Sequence, residues 1–400
     1  MKYKNLEISG AVVYNDKIIC EKGNSKTVYE LASLSKSITA LAVILLYIRN
    51  ALDLDMPVIN YLHTYGSAHL TCRKLLQHIG GLEKKTIKYQ EEGETSIKKI
   101  ACKILLNNDK VQAENNFDYA TGGYVILGAV IEAVSGITYE EFVTKYIFEP
   151  LQMHHTSVEN IPLEGYKRFF FSYRKLDWEG CTAFAPAGYI ISNSDDMQKW
   201  LKAQLHPELL SEELCTAISI SHDISLYVST KDAEILYGFG WYFDKKTKMY
   251  YHEGCNPCFT AYQCFLQEQN MLCFWISNYN DGHLSFQAHE SAKKIASQKQ
   301  VESWPKPPIQ YPFSNHIDNL LAVILPIIWL IIIFLKGKVL ITFLISLTGV
   351  ILCSVILSAI VGGLNWKQIN LWLPNWQLSL LSFIPAIVFA VISKILFCMF

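Results

Sequence analysis

Ser33-Leu34-Ser35-Lys36-Ser37-Ile38-Thr39-Ala40-Leu41-Ala42-Val43-Ile44-Leu45-Leu46-Tyr47-Ile48 is the stretch on which the fold turns. From Ser37 onward it is apolar nearly all round, the pattern of a helix buried inside a folded body. Ser33 and Lys36 stand three apart, so they share one face of that helix at its start. A serine there has its own backbone N–H outside the helical ladder, aimed at whatever its hydroxyl attacks. An amine one turn on can take the seryl proton if burial and neighbours lower its pKa. Taken alone, the four-residue pattern fits a capping serine beside a solvated lysine at least as well.

Working outward from that helix changes the weighting. Residues 10–14 and 17–21 flank Asn15-Asp16, which reads as a β-hairpin. Farther along, Phe117-Asp118-Tyr119-Ala120-Thr121-Gly122-Gly123-Tyr124 runs into a helix over 125–135. Tyr251-His252-Glu253-Gly254 precedes strand-like segments at 261–266 and 272–277. A tyrosine on a loop before a helix offers a second proton-transfer group. A strand with glycine lets a substrate backbone approach closely and supplies a main-chain N–H to an oxyanion.

These three elements resemble the serine β-lactamase and penicillin-binding protein superfamily, on its branch of class C β-lactamases, DD-peptidases and D-amino-acid-specific esterases and peptidases. Further segments carry the likeness: Leu52-Asp53-Leu54-Asp55-Met56-Pro57-Val58, the run from Leu70 to Leu82, Glu149-Pro150-Leu151-Gln152-Met153, the run from Pro186 to Met197, and Tyr237-Gly238-Phe239-Gly240-Trp241. The resemblance implies an α+β, β-lactamase-like fold, an antiparallel sheet flanked by helices plus an all-helical lobe with the site in the cleft between. It also implies roles. Ser33 is the expected nucleophile, Lys36 its activating partner, and Tyr119 a general base or proton shuttle kept partly deprotonated by positive charge nearby. His252 takes the place of the Lys or His on the third-motif strand. The N–H groups of Ser33 and Cys255, just past Gly254, form the expected oxyanion hole. Asp55, His78 and Gly81 are expected to be structural.

Departures from the pattern matter too. Thr121 stands where asparagine usually bonds the lysine and the substrate amide; its hydroxyl is expected to accept from Lys36. Cys258 stands where glycine is expected. The helix that normally precedes the first strand has no counterpart before Ser9.

Composition bounds the rest. Of 400 residues 51% are hydrophobic, 13% aromatic and only 18% charged, with a formal net charge of -1. That aromatic share excludes a disordered chain, and near-neutral charge disfavours nucleic acid as a partner. Eleven cysteines without regular spacing make no disulfide framework. Cys255-Asn256-Pro257-Cys258 has no second pair to complete a zinc site, and no metal or other cofactor is expected.

The apolar excess lies at the C-terminus. From Asn319 onward the only charges are Lys336, Lys338, Lys367 and Lys394. Three runs, about 319–335, 339–361 and 378–399, have the length and apolarity of transmembrane helices. Residues 301–318, with Pro305, Pro307, Pro308 and Pro312, read as a stiff linker. The organisation expected is a hydrolase domain over 1–300, that linker, and a membrane domain over 319–400. Lysines at 336, 338 and 394 put that hairpin and the C-terminus inside, and the body outside the cytoplasm. The first ten residues carry no apolar signal core, so a segment ahead of Met1 is expected to supply one.

The function expected is a membrane-anchored serine hydrolase, acting through an acyl-enzyme on amide or ester bonds. A small peptide or an acyl-D-amino acid is the expected substrate and the lipid bilayer the expected partner. The three-helix tail is similar to that of peptidases that remove an acyl-D-asparagine cap from inactive prodrugs. The alternatives are a catalytically silent penicillin-binding-like sensor or cell-wall-binding module, favoured by Thr121, and a true β-lactamase.

Overall fold

A computed structural model of the chain describes residues 5–66, 68–82, 89–90, 94–108, 116–169, 172–176, 180–280 and 284–298. The chain divides into two compact units, residues 1–167 with 175–307 and residues 168–174 with 308–400. The 301–318 linker and the three C-terminal apolar runs lie outside the described residues. Among the described residues, no single helix is long and apolar enough to cross a membrane.

In chain order the strands are β1 (Ile8–Tyr14), β2 (Lys17–Lys22), β3 (Tyr29–Glu30), β4 (Gly165–Phe169), β5 (Ser172–Leu176), β6 (Ile191–Ser192), β7 (Val228–Ser229), β8 (Ile235–Gly238), β9 (Trp241–Asp244), β10 (Met249–Cys255), β11 (Thr260–Leu266), β12 (Met271–Ser277) and β13 (Tyr279–Asn280). The helices are α1 (Ser35–Ile48), α2 (Val58–Leu62), α3 (Cys72–Leu76), α4 (Ile97–Leu106), α5 (Thr121–Ser135), α6 (Tyr139–Val143), α7 (Ser194–Leu205), α8 (Glu212–Ser221) and α9 (Leu284–Gln298).

The chain opens on the expected hairpin. Asn15 and Asp16 both take positive φ, 47° and 61°, the two-residue turn whose twist matches that of the paired strands. β1 then pairs antiparallel with the late strand β12, and the sheet runs β2-β1-β12-β11-β10-β9-β8-β7. Consecutive side chains on a strand point to opposite faces. On β11, Tyr262 reaches His289 of α9 while Gln263 accepts from Trp200 of α7 at 3.1 Å. Helices therefore cover both faces of the sheet.

A helical lobe completes the body. α5 packs against α1, α2, α3 and α4, and its wholly apolar middle is buried. α1 is the deepest element, with residues 35–46 all buried, as its all-round apolar pattern requires. Its polar residues bond inward. Thr39 Oγ1 donates to Pro186 O at 2.7 Å, and Gln263 Nε2 donates to Ser37 Oγ at 3.0 Å. These bonds lock α1 to the segment at 185–189 on one side and to the sheet on the other.

The turn joining β8 to β9 explains the Tyr237–Trp241 motif. Phe239 and Gly240 both take positive φ, 50° and 83°, and a β-carbon on Gly240 would come within 2.5 Å of Ser37 Cα. Only glycine lets this turn press on the first turn of α1. Asp55 and Gly81 have local work: Asp55 holds Arg73 in a two-pronged ion pair, and Gly81 takes φ 66° after α3.

Candidate active site

The nucleophile segment is short and bent. Residues 32–34 form a single 3-10 turn, and α1 starts at Ser35, so Ser33 sits ahead of the helix rather than inside it. Ala32 is held at φ 47°, a conformation an alanine adopts only under constraint from its surroundings. The constraint is the close approach of β10. A β-carbon on Gly254 would come within 2.7 Å of Leu31 O and 3.0 Å of Ala32 Cβ, so the strand passes against this turn only because position 254 has none. That approach sets the backbone of Cys255, the exposed end of the strand, beside the nucleophile turn.

Lys36 is fully buried, and its Nζ donates to Ser33 Oγ at 2.9 Å and to Ala187 O at 2.6 Å. Burial pushes its pKa down from the usual lysine value to about 7. With the proton gone, Nζ keeps hydrogens for Ala187 O and has a lone pair for the seryl proton. The carbonyl of Ala187 was not foreseen as the lysine's anchor. Main-chain acceptors have no side-chain signature, and the Pro186–Met197 run signalled only that the segment is present. Thr121, expected to bond Lys36, is the first residue of α5 instead, and Lys36 makes no hydrogen bond to it.

Tyr119 lies beside Ser33, near enough for their side chains to interact, and Lys36 Nζ lies 5.1 Å from the centre of its ring. Burial pushes its phenol pKa up, with only partial relief from Ser33. This reverses the expected charge state. Burial favours the protonated phenol and the neutral amine. The amine is also the stronger candidate base on geometry, since it lies within a hydrogen bond of Ser33 Oγ.

His252 is buried on β10, its ring centre 6.2 Å from that of Tyr119. Its Nδ1 donates to Glu253 O at 2.6 Å, and Nε2 lies 3.4 Å from the Tyr237 hydroxyl. Burial, seconded by the charge of Lys36, pushes its pKa down to about 3. Burial thus favours the neutral imidazole, which sits in an aromatic wall that includes Tyr237 and Tyr242.

Asn256, the residue after Cys255, is held from four sides. Its Nδ2 donates to Glu30 Oε2 at 2.6 Å and to Gly188 O at 2.7 Å, its N–H donates to Phe259 O, and its carbonyl accepts from Asn280 Nδ2. Glu30 is buried three residues before Ser33, and burial raises its pKa to about 8. Sequence reading passed over both residues. A lone glutamate in a two-residue strand has no periodic signal, and its partner lies 226 residues away. Among the described residues no group of His, Cys, Asp or Glu is placed to hold a metal ion.

A serine hydroxyl on a buried amine, a phenol beside it, and a glycine-bearing strand pressed on the nucleophile turn together make a site able to form an acyl-enzyme. A family model described as Beta-lactamase matches residues 4–297, and the chain belongs to that family, whose members are generally serine hydrolases. It is similar to Protein flp of Staphylococcus aureus (strain NCTC 8325 / PS 47), at 22% identity over 438 aligned positions that cover 96% of this chain and 86% of the relative. Penicillin-binding protein 4* of Bacillus subtilis (strain 168) matches at 29% identity over 155 residues, 37% of this chain and 34% of that one. Solved structures share the fold. The octameric penicillin-binding protein homologue of Pyrococcus abyssi aligns with a TM-score of 0.61 at 22% identity, over 76% of this chain and 75% of that one. A D-stereospecific amidohydrolase from Streptomyces sp. aligns at 0.57 and 20%, over 70% and 92%.

Proposed function

We propose that this chain is a membrane-anchored serine hydrolase that forms an acyl-enzyme on Ser33 and cleaves amide or ester bonds, with peptides or peptide-like metabolites containing a D-amino acid as substrates. The observation that carries the reading is the 2.9 Å contact between Ser33 Oγ and the fully buried Lys36 Nζ, whose amine is brought near neutrality at pH 7. A buried lysine is expensive to fold around, and one placed on a serine hydroxyl is best understood as a base.

The chemistry follows from the positions. Neutral Lys36 takes the seryl proton as Ser33 Oγ attacks the carbonyl carbon, and the carbonyl π electrons move onto oxygen. The N–H groups of Ser33 and Cys255 receive that oxyanion. Collapse expels the amine or alkoxide, which takes a proton relayed from Lys36 through Tyr119, and leaves the acyl group on Ser33. Water then enters by the same route in reverse. β9 pairs with β10 only as far as Tyr251, so beyond it this edge can take an extended substrate as an added strand. The D preference is supported by the Streptomyces amidohydrolase, which shares the fold. The membrane anchor is supported by the three apolar runs after Asn319, with the catalytic domain on the extracytoplasmic side by the lysine distribution.

A fluorescent penicillin or fluorophosphonate tests the reading on whole cells and on purified protein. The expected result is a covalent adduct on Ser33, absent in Ser33→Ala and removed from intact cells by protease shaving. A well-folded protein that gives no adduct between about pH 6 and 9 refutes the hydrolase, and an adduct that survives shaving refutes the orientation.

A further inference from the structure

His78 belongs to no step of the mechanism above, yet it meets Tyr119 and both of its chain neighbours. Tyr119 lies on a stretch with no regular structure, so neither helix nor strand fixes the two peptide groups around it. His78 bonds both neighbours. Its carbonyl accepts from Asp118 N–H at 2.8 Å, and its ring Nδ1 accepts from Ala120 N–H at 3.2 Å. The two rings meet with centres 4.2 Å apart. His78 is itself anchored to the end of α3, its N–H donating to Leu75 O, and takes φ 55°.

We infer that His78 is a positioning residue for catalysis, a bracket that fixes the Tyr119 phenol against Ser33 by bonding the backbone on both sides of it. The inference rests on the acyl-enzyme reading of the same site. Two observations argue against a purely structural histidine. Because Nδ1 accepts a bond, the ring proton sits on Nε2, which is buried and has no hydrogen-bond partner among the described residues. A residue kept only for packing would do better without that stranded donor. The surroundings also protect the acceptor. Burial, the largest cause, pushes the His78 pKa well down, which favours an Nδ1 free of a proton and able to receive Ala120 N–H.

The positive φ dictates the test. Glycine and asparagine both tolerate this conformation, so His78→Gly removes the acceptor without adding backbone strain, and His78→Asn returns a carbonyl oxygen near the place of Nδ1. Acylation of Ser33 by an activated ester of a D-amino acid is followed in the full-length protein, with the acylation rate separated from ester binding. His78→Gly is expected to acylate roughly 10–100-fold more slowly with binding changed less than about threefold, the signature of a displaced group rather than a lost subsite. His78→Asn is expected to recover to within about fivefold of the parent. Equal rates in the two variants at matched melting temperatures overturn the inference, as does a His78→Gly protein at the parental rate. If the parent protein itself does not acylate, the hydrolase reading has failed. The crystallographic position of Tyr119 in His78→Gly then decides the bracket alone: a displaced ring upholds it and an unmoved one overturns it.

Discussion

Replacing Lys36 with methionine should change stability in a way that depends on pH, and the size of the effect can be worked from its burial. In the folded protein the amine titrates near 7; in the unfolded chain it titrates at 10.5. A base whose folded pKa is depressed binds its proton more tightly when unfolded, so folding is opposed by the proton at low pH. Below about pH 7 the full penalty applies, about 5 kcal/mol for a shift of this size, and by pH 9 about 2 kcal/mol is left. Methionine has a similar length and no proton. Lys36→Met also loses the bonds to Ser33 Oγ and Ala187 O, but that loss does not vary with pH across this window. The melting temperature of the variant relative to the parent should therefore be highest below about pH 7, where the parent carries the full penalty. It should fall by roughly 5–10 °C on going to pH 9, since about 3 kcal/mol is at stake in a domain of this size. Thermal unfolding in detergent, followed by tryptophan fluorescence on both proteins in matched buffers, reads the difference directly. A gap that stays constant from pH 6 to 9 would mean that Lys36 titrates like a solvated lysine, and the neutral base would be lost with it. The rate of Ser33 acylation gives the matching kinetic curve, rising with pH to a half-maximum near 7 as the amine loses its proton.

Glu30 gives the opposite slope. A carboxyl raised by burial to about 8 holds its proton more tightly in the folded state, so its contribution to stability is full below about pH 4.5 and is lost as pH rises through 8. Glu30→Gln should flatten that decline, and melting curves that fall equally steeply in both proteins would refute the assignment. Gly254→Ala should slow acylation and destabilise the body by about 1–3 kcal/mol, because the new methyl lies 2.7 Å from Leu31 O and must push β10 off the nucleophile turn. A variant with parental labelling rate and melting temperature would show that the strand has room to spare.

Much of this was legible in the chain because it rests on local rules. The Asn15-Asp16 turn and the all-round apolar α1 are periodic signals, and both elements lie where those signals put them. Ser33 and Lys36 meet because three residues span about one turn, even though the serine falls two residues ahead of the helix proper. What stayed hidden depends on distant backbone. Nothing in the residues 185–189 announces that the Ala187 carbonyl receives the lysine, and nothing around Tyr29-Glu30 announces Asn256. The sequence keeps Thr121 as a partner for the lysine, but α5 begins at that very residue and Lys36 bonds Ser33 and Ala187 instead. The tail from 319 onward is legible only as sequence, through its apolar runs and its four lysines.

The protonation states at the site share one physical origin. Lys36, Tyr119, His78 and His252 each have their pKa displaced chiefly by burial, and each displacement favours the uncharged form. The enclosure that makes α1 greasy on every side removes the water that would otherwise stabilise an ammonium, a phenolate or an imidazolium. The base is thus made by the core rather than by a neighbouring charge, and this has a consequence for the reaction. When Ser33 passes its proton to Lys36, the nascent ammonium and the oxyanion are created together in a poorly solvated pocket, where each stabilises the other more than water would. No fixed ion need be held in place beforehand to balance them. Substrates that bring a permanent charge to the reacting carbonyl would disturb that balance, whereas a neutral amide or ester leaves it intact.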